Sequence, residues 1–143
     1  MIKRDFTIEI KAPPEMVFAY TTDFRNFLSL LEGVSEASQT PDGPTQSDST
    51  FTLTLTFLGR RLHAAGAVTE FVPNRRCAFK TTSSPIRLHL LQTFEPIPGG
   101  TRLTIHLEAE PGGFFKLAEP AMDRQLTSAL GSLVEELKSV LET

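Results

Sequence analysis

Apolar and polar residues alternate along most of the first 110 positions, as they do in strands that bury one face. The segment Lys3–Lys11 places Phe6, Ile8 and Ile10 on one face and predicts the first strand. Val34–Gln39 predicts a second strand. Five further runs, joined by tight turns, predict the remaining strands: Thr50–Leu58, Leu62–Val72, Arg75–Ser83, Ile86–Pro96 and Thr101–Glu110.

Helical patterns interrupt the strands once and then close the sequence. Pro14 suits the start of a short helix over "PEMVFAYTTD", and Asp23 is a good N-cap for a second, "FRNFLSLLE", which ends at Gly33. A long amphipathic helix is predicted up to Glu142, and Pro120 either begins it or kinks its first turns. At 1.5 Å per residue this helix is roughly 34 Å long, about the width of six or seven strands. It can therefore cover a whole sheet face.

Tight turns determine which residues share a face of the sheet, because a two-residue loop sets the register of a hairpin. Such loops are expected at Gly59-Arg60, Pro73-Asn74, Ser84-Pro85 and Gly99-Gly100. Counting from them, one face is mainly apolar and carries Phe51, Leu53, Leu55, Phe57, Leu62, Ala64, Gly66, Val68, Glu70, Cys77, Phe79, Thr81, Leu88, Leu90, Gln92, Phe94, Leu103, Ile105 and Leu107. The other face is polar and carries Thr52, Thr54, Thr56, His63, Arg87, His89, Thr104, His106 and Glu108. We therefore predict an antiparallel sheet that a helix covers on one side.

Small residues in the middle of the inner face raise the question of a cavity. The predicted register places Ala64 opposite Leu55 and Gly66 opposite Leu53, so the helix alone need not fill this part of the interior. Interiors normally pack to the density of organic crystals, so a core without any cavity is the alternative. Register alone leaves both options open.

Charge and cysteine content narrow the class of protein. The net charge is −3 and no basic block occurs, which argues against a nucleic-acid partner. The single cysteine, Cys77, fits a reducing compartment, and no signal-peptide pattern follows Met1. No apolar run approaches the roughly 20 residues that span a bilayer, so stable membrane insertion is not expected. We expect a cytoplasmic protein.

Four stretches of sequence carry a family resemblance: "IEIKAPPEMVFAYTTDF", "VTEFVPNRR", "FEPIPGGTRLTIHLE" and "LVEELKSVLE". In this order and spacing the chain resembles the SRPBCC (START/Bet v 1-like) superfamily, most closely its polyketide cyclase/dehydrase and lipid-transport branch. The resemblance covers residues 1–143 as one domain. It implies an α+β helix-grip fold, in which a seven-stranded curved antiparallel sheet wraps a long C-terminal helix, with two short helices after the first strand. It also implies a deep hydrophobic cavity.

Members of this superfamily differ in activity, so the resemblance does not choose one function. We expect binding or transport of a hydrophobic small molecule such as a lipid, isoprenoid or polyketide, without a cofactor, and a homodimer remains an option. The expected cavity wall consists of Phe51, Leu53, Leu55, Ala64, Gly66, Val68, Phe79, Thr81, Leu88, Leu90, Gln92, Phe94, Leu103, Ile105, Met122, Leu126 and Leu130. The expected entrance consists of Tyr20, Phe24, Phe27, Phe114 and Phe115.

An enzyme is the first alternative. The register places Glu70, Cys77 and Gln92 in one row, where a cyclase or dehydratase would use Glu70 as acid or base and Gln92 to orient a carbonyl. The competing interpretation is that Glu70 reaches solvent at the rim and that Cys77 is a small buried apolar residue. A protein-interaction module is the second alternative.

Motifs for other chemistries are missing from the sequence. The three histidines, His63, His89 and His106, lie at outward positions without the spacing of metal ligands, so no metal site is expected. The sequence also lacks a GxSxG elbow, a P-loop and a dinucleotide-binding fingerprint.

Overall fold

A computed structural model of the 143-residue chain describes residues 1–23, 26, 33–40 and 45–142. The second short helix predicted after Asp23 falls almost entirely outside the described residues, as do Phe24 and Phe27. The described elements are β1 (Ile2–Ile10), α1 (Pro14–Thr21), β2 (Val34–Thr40), β3 (Thr50–Phe57), β4 (Arg60–Val72), β5 (Arg76–Ser83), β6 (Ile86–Ile97), β7 (Gly100–Pro111), α2 (Phe114–Leu117) and α3 (Glu119–Leu141).

The seven strands form one curved antiparallel sheet in the order β1-β7-β6-β5-β4-β3-β2. Sequential strands from β2 to β7 are neighbours, and the first strand of the chain returns to pair with the last. The predicted strands agree with the observed ones to within two residues at each end. The long helix begins at Glu119, with Pro120 in its first turn, where proline costs no intrahelical hydrogen bond. The α+β helix-grip fold is confirmed.

Three of the four hairpin turns differ from the prediction. The turn between β4 and β5 spans three residues, 73–75, because Val72 pairs with Arg76, and two other turns lie one residue earlier than predicted. The loop between β3 and β4 is Leu58-Gly59, both with positive φ, and the loop between β6 and β7 is Pro98-Gly99. Glycine takes the second loop position in each, because that position requires positive φ. The pairing therefore shifts by two residues: Ala64 lies opposite Leu53 rather than Leu55. A shift of two preserves the face, so the predicted inner and outer faces of β3 and β7 remain correct.

The helix α3 packs against the inner face through two separate groups of buried side chains. The first, which we call the main cluster, contains the C-terminal half of the helix and consists of Ile10, Ala12, Val17, Phe18, Phe51, Val68, Cys77, Phe79, Leu90, Phe94, Leu103, Ile105, Leu107, Leu130, Leu133, Val134, Leu137 and Leu141. The second cluster lies at the start of the helix and consists of Ile2, Phe57, Leu62, Ala64, Ile86, Ala109, Phe115 and Met122. Leu53 and Leu126 pack against both clusters.

Polar contacts attach α3 to β1 at both ends. Arg4 forms a salt bridge with Asp123 near the start of the helix. The backbone N–H of Lys11 donates to Oε2 of Glu142, 2.9 Å away, just past the end of α3. The helix backbone comes closest to β1, which forms one edge of the sheet. β3, β4 and β5 lie toward the opposite edge. The helix is therefore held along one edge of the sheet, and its backbone does not approach β3–β5 as closely.

Candidate functional site

An apolar cavity of about 140 Å³ lies where the two clusters meet, between α3 and the strands β3 to β7. An engineered cavity of about 150 Å³ with similar lining is known to hold benzene, so this volume suits one small ring or a short alkyl chain. The lining consists of Val34, Phe51, Leu53, Leu55, Phe57, Leu62, Ala64, Phe79, Thr81, Ser84, Ile86, Leu88, Leu90, Leu107, Leu126, Ala129 and Leu130. Leu53, Leu55, Leu88, Leu126 and Ala129 are half-buried, which marks where the lining reaches the surface.

The two lining hydroxyl groups are both engaged with backbone. Thr81 Oγ1 accepts from the N–H of Leu88 (3.0 Å) and donates to the carbonyl of Ile86 (3.3 Å). Ser84 Oγ accepts from the N–H of Ile86 (3.1 Å). No titratable side chain occurs among the lining residues in the described part of the chain. The wall can therefore bind apolar surface, but it carries no acid or base.

Only one of the two small inner-face residues leaves space. Ala64 lines the cavity. Gly66 lies opposite Phe51, and a Cβ built on Gly66 would come within 2.3 Å of the Phe51 ring. The aromatic ring therefore covers the glycine, and it also packs edge-on against Phe79 with 5.3 Å between ring centroids. The expectation that Gly66 leaves volume is wrong, because Phe51 folds back onto it.

The structure divides the predicted wall residues into two groups. Those that line the cavity are Phe51, Leu53, Leu55, Ala64, Phe79, Thr81, Leu88, Leu90, Leu126 and Leu130. Those that are buried in the core but are not part of the lining are Val68, Gln92, Phe94, Leu103, Ile105 and Met122. Seven further residues line the cavity: Val34, Phe57, Leu62, Ser84, Ile86, Leu107 and Ala129. Phe57, Leu62 and Leu107 already stood on the predicted inner face, and the same alternation along β6 includes Ile86.

The three entrance candidates that the structure describes, Tyr20, Phe114 and Phe115, do not line the cavity. Phe114 is 39% exposed, and the guanidinium carbon of Arg60 lies 3.9 Å from the centroid of its ring. Phe115 is buried in the second cluster, where it contacts Phe57. Tyr20 is half-buried against the main cluster. None of these three is part of the lining, and Phe24 and Phe27 lie outside the described residues.

Glu70 does not face the interior, which corrects the predicted row of polar residues. The pairing of β4 with β5 shifts between Val68 and Glu70, and this irregularity brings Phe71 opposite Cys77. The Glu70 carboxylate accepts two hydrogen bonds from Arg76, at 2.6 and 3.3 Å, and its side chain is 40% exposed. The same hydrogen bonds raise the pKa of Arg76. Glu70 is a surface ion-pair residue in this structure.

Cys77 and Gln92 form the part of that row that is confirmed. They are directly paired across β5 and β6, and each is 1% exposed. Burial raises the pKa of the Cys77 thiol from 9.0 to about 12, with a smaller contribution from the charge of Glu70. The thiol is therefore neutral at physiological pH and does not act as a nucleophile.

Cys77 is expected to make stability depend on pH in the alkaline range. The unfolded thiol ionises near pH 9 and the folded one near pH 12, so its contribution is complete below pH 9 and is lost as the pH rises to 12. The check is the free energy of unfolding in urea at intervals from pH 8 to 11, compared with Cys77→Ala. The variant should lose stability less steeply above pH 9, and parallel curves would contradict the raised pKa.

The three histidines lie on the outer face, as predicted. His63 Nδ1 lies 2.9 Å from Thr54 Oγ1, and His106 Nδ1 lies 2.5 Å from Asp5 Oδ1. His89 faces Glu108 at 3.9 Å. Within residues 1–23, 26, 33–40 and 45–142, no group of three His, Cys, Asp or Glu side chains is suitably placed to hold a metal ion.

A long helix gripped by a curved seven-stranded sheet, with an apolar cavity between them, defines the START-like class of proteins. A family model described as "Polyketide cyclase / dehydrase and lipid transport" matches residues 1–142. The chain belongs to this polyketide cyclase/dehydrase and lipid-transport family. No curated protein sequence matches it significantly.

Solved structures share the fold at low sequence identity. A crystal structure of TTHA0849 from Thermus thermophilus has a TM-score of 0.80 at 18% identity, covering 96% of this chain and 95% of that one. A START superfamily protein from Mycobacterium smegmatis has a TM-score of 0.73 at 18% identity, covering 98% and 97%. The di-domain ARO/CYC StfQ of the steffimycin biosynthetic pathway has a TM-score of 0.75 at 12% identity, and the match covers 99% of this chain and 51% of StfQ.

None of the helices in the described part of the chain is long and apolar enough to cross a bilayer.

Proposed function

We propose that this protein binds a small hydrophobic molecule in the cavity between α3 and the inner face of the sheet, as one domain over residues 1–143. The observation that carries the proposal is an unfilled volume of about 140 Å³ walled by aliphatic and aromatic side chains. Interiors normally pack without such voids, and an empty apolar cavity loses dispersion contacts along its whole wall. A bound apolar molecule restores those contacts.

Binding is favoured over turnover by the chemistry of the wall. The lining offers two hydroxyl groups that already bond backbone atoms, and Glu70, the acid or base of the enzyme alternative, lies outside the cavity in an ion pair with Arg76. General acid–base catalysis needs a titratable group within hydrogen-bonding reach of the substrate. The family description covers both cyclases and lipid transport, and the described lining of this cavity includes no acid or base for a cyclisation.

Filling part of the cavity with a larger side chain is expected to weaken the binding of a small apolar ligand. Toluene is the probe, because one ring fits the volume, and its binding is followed by the NMR shifts of the Ala129 methyl group. Ala64→Leu adds three carbon atoms to the cavity wall and should weaken toluene binding by about tenfold or more. The matched control is Ala67→Leu on the same strand, because Ala67 pairs with Thr50 and Lys80 on the opposite face.

The proposal fails if toluene produces no saturable shift in the wild-type protein, or if Ala64→Leu and Ala67→Leu bind it equally well. Native mass spectrometry of the protein purified from its own cells then identifies the natural ligand, which should travel with the wild type and be lost from Ala64→Leu.

A further inference from the structure

Two buried polar side-chain atoms in the described part of the chain make no hydrogen bond: Nε2 of Gln92 and Oγ1 of Thr21. Each residue is 1% exposed. Leaving a buried polar group without a partner is destabilising, so natural proteins satisfy nearly all of them. The stability of the fold gives no reason for leaving either atom without a hydrogen-bond partner.

Gln92 lies beside the cavity on the inner face of the sheet, but it is not part of the lining. On the inner face of β6 it follows Leu90, which lines the cavity, and precedes Phe94, which does not. Two residues along a strand place it about 7 Å beyond Leu90. Its neighbours on the adjacent strands are Cys77, whose thiol is neutral, and Ile105. The Gln92 amide is thus surrounded by apolar groups just behind the cavity wall.

Aromatic packing brings α1 to the same end of the interior. The ring of Phe18 packs edge-on against Phe94 with 5.0 Å between centroids, and against Phe71 at 5.3 Å. Thr21 follows Phe18 by three residues and therefore lies on the same side of α1. Helix α1, which carries Thr21, therefore packs beside strand β6, which carries Gln92.

We propose that Gln92, assisted by Thr21, forms a polar subsite for the leading end of the ligand, with Gln92 Nε2 donating to an oxygen of the bound molecule. This inference rests on the proposed function and specifies the ligand class. The ligand has an apolar body of one ring or a short chain and a neutral acceptor at one end, such as a ketone, aldehyde or ester oxygen.

The acceptor is neutral because the interior supplies no positive charge. The buried polar side chains among the described residues are Thr21, Thr22, Gln39, Thr45, Ser49, Thr54, Gln92 and Thr101, without a lysine, arginine or histidine. Burying a carboxylate or phosphate next to an amide alone costs far more than one hydrogen bond returns. A carbonyl costs much less to bury, and a single donor compensates for it.

The test compares matched pairs of probes. Acetophenone, phenylacetone and benzylacetone place a ketone at increasing distance from the same ring, and in each analogue a CH₂ group replaces the ketone oxygen. Dissociation constants are measured by calorimetry or NMR for the wild type, Gln92→Met and Thr21→Val. Methionine keeps the length of glutamine and valine keeps the shape of threonine, so both variants should fold. Thr104→Val removes a hydroxyl on the outer face of β7, away from the cavity, and is the control.

In the wild type, at least one ketone should bind about threefold to tenfold more tightly than its CH₂ analogue, the worth of one hydrogen bond. Gln92→Met should lose this preference while still binding the hydrocarbon, Thr21→Val should reduce it, and Thr104→Val should retain it. A preference that persists in Gln92→Met, or wild-type binding of the analogues without any preference for the ketones, overturns the subsite and leaves the proposed function standing. If no member of any pair binds the wild type, both proposals fail.

Discussion

Replacing Leu133 with alanine is expected to lower the free energy of unfolding by about 3–5 kcal/mol, while leaving the cavity unchanged. Leu133 is fully buried in the main cluster and does not line the cavity. Its removal takes away transfer free energy and opens a new void in a region that is already packed.

The matched variant is Leu126→Ala on the same helix. Leu126 is half-buried and already borders the cavity, so its truncation should cost only about 1 kcal/mol. The toluene affinity should behave in the opposite way: Leu126→Ala should change it, whereas Leu133→Ala should not. Urea denaturation and the toluene titration measure both quantities. Equal losses of stability in the two variants would show that the interior is uniformly packed and would contradict the division between core and cavity.

Gly66→Ala is expected to destabilise the protein by about 2–3 kcal/mol and to weaken binding at the same time. The added Cβ would lie 2.3 Å from the Phe51 ring and 2.7 Å from the carbonyl oxygen of Lys80. The carbonyl belongs to the neighbouring strand and cannot move alone, so the ring must turn away from Gly66. Phe51 lines the cavity, and any such turn takes volume from the ligand.

A double-mutant cycle checks this mechanism. Phe51→Leu relieves the contact with the ring, so the loss in Gly66→Ala/Phe51→Leu should be smaller than the sum of the single losses by about 1 kcal/mol. Gly131→Ala is the control, because a Cβ there meets nothing within 4 Å and alanine favours the helix interior, which should stabilise the protein by about 0.5–1 kcal/mol. Additive losses for the Gly66–Phe51 pair would mean that the ring does not limit the space at Gly66.

Much of the cavity wall was predictable because its residues follow from the alternation of the strands. Phe51, Leu53, Leu88 and Leu90 line the cavity as expected, and each was placed by counting from a turn. The turns at Gly59 and Gly99 were each placed one residue too late, which changed partners but not faces. The predicted faces are still correct because side chains alternate between the two faces of a strand. A shift of two residues therefore leaves each side chain on the same face.

Irregular pairing limited the prediction elsewhere. The shift between Val68 and Glu70 carries no sequence signal as plain as a glycine turn, and it moved Glu70 out of the interior and Phe71 toward it. The role of Gly66 was equally hard to predict. Phe51, the residue that covers it, lies on another strand, and the two residues are partners only in the observed register, which differs from the predicted one by two residues. Val34 lines the cavity, but the sequence does not predict which face of β2 it occupies. A long polar loop separates β2 from β3, so the register cannot be counted across it.

Periodicity and turn residues act locally, so the order of residues is enough to predict the elements of this protein, the inner face of its sheet and the apolar side of its long helix. Where the interior is solid and where it is open depends on how these elements pack in three dimensions. Salt-bridge and hydrogen-bond contacts fasten α3 along β1, Phe18 packs one end of the interior, and the space opposite β3–β5 is left over. Volume is what remains after all elements have packed, so no single segment of sequence specifies it.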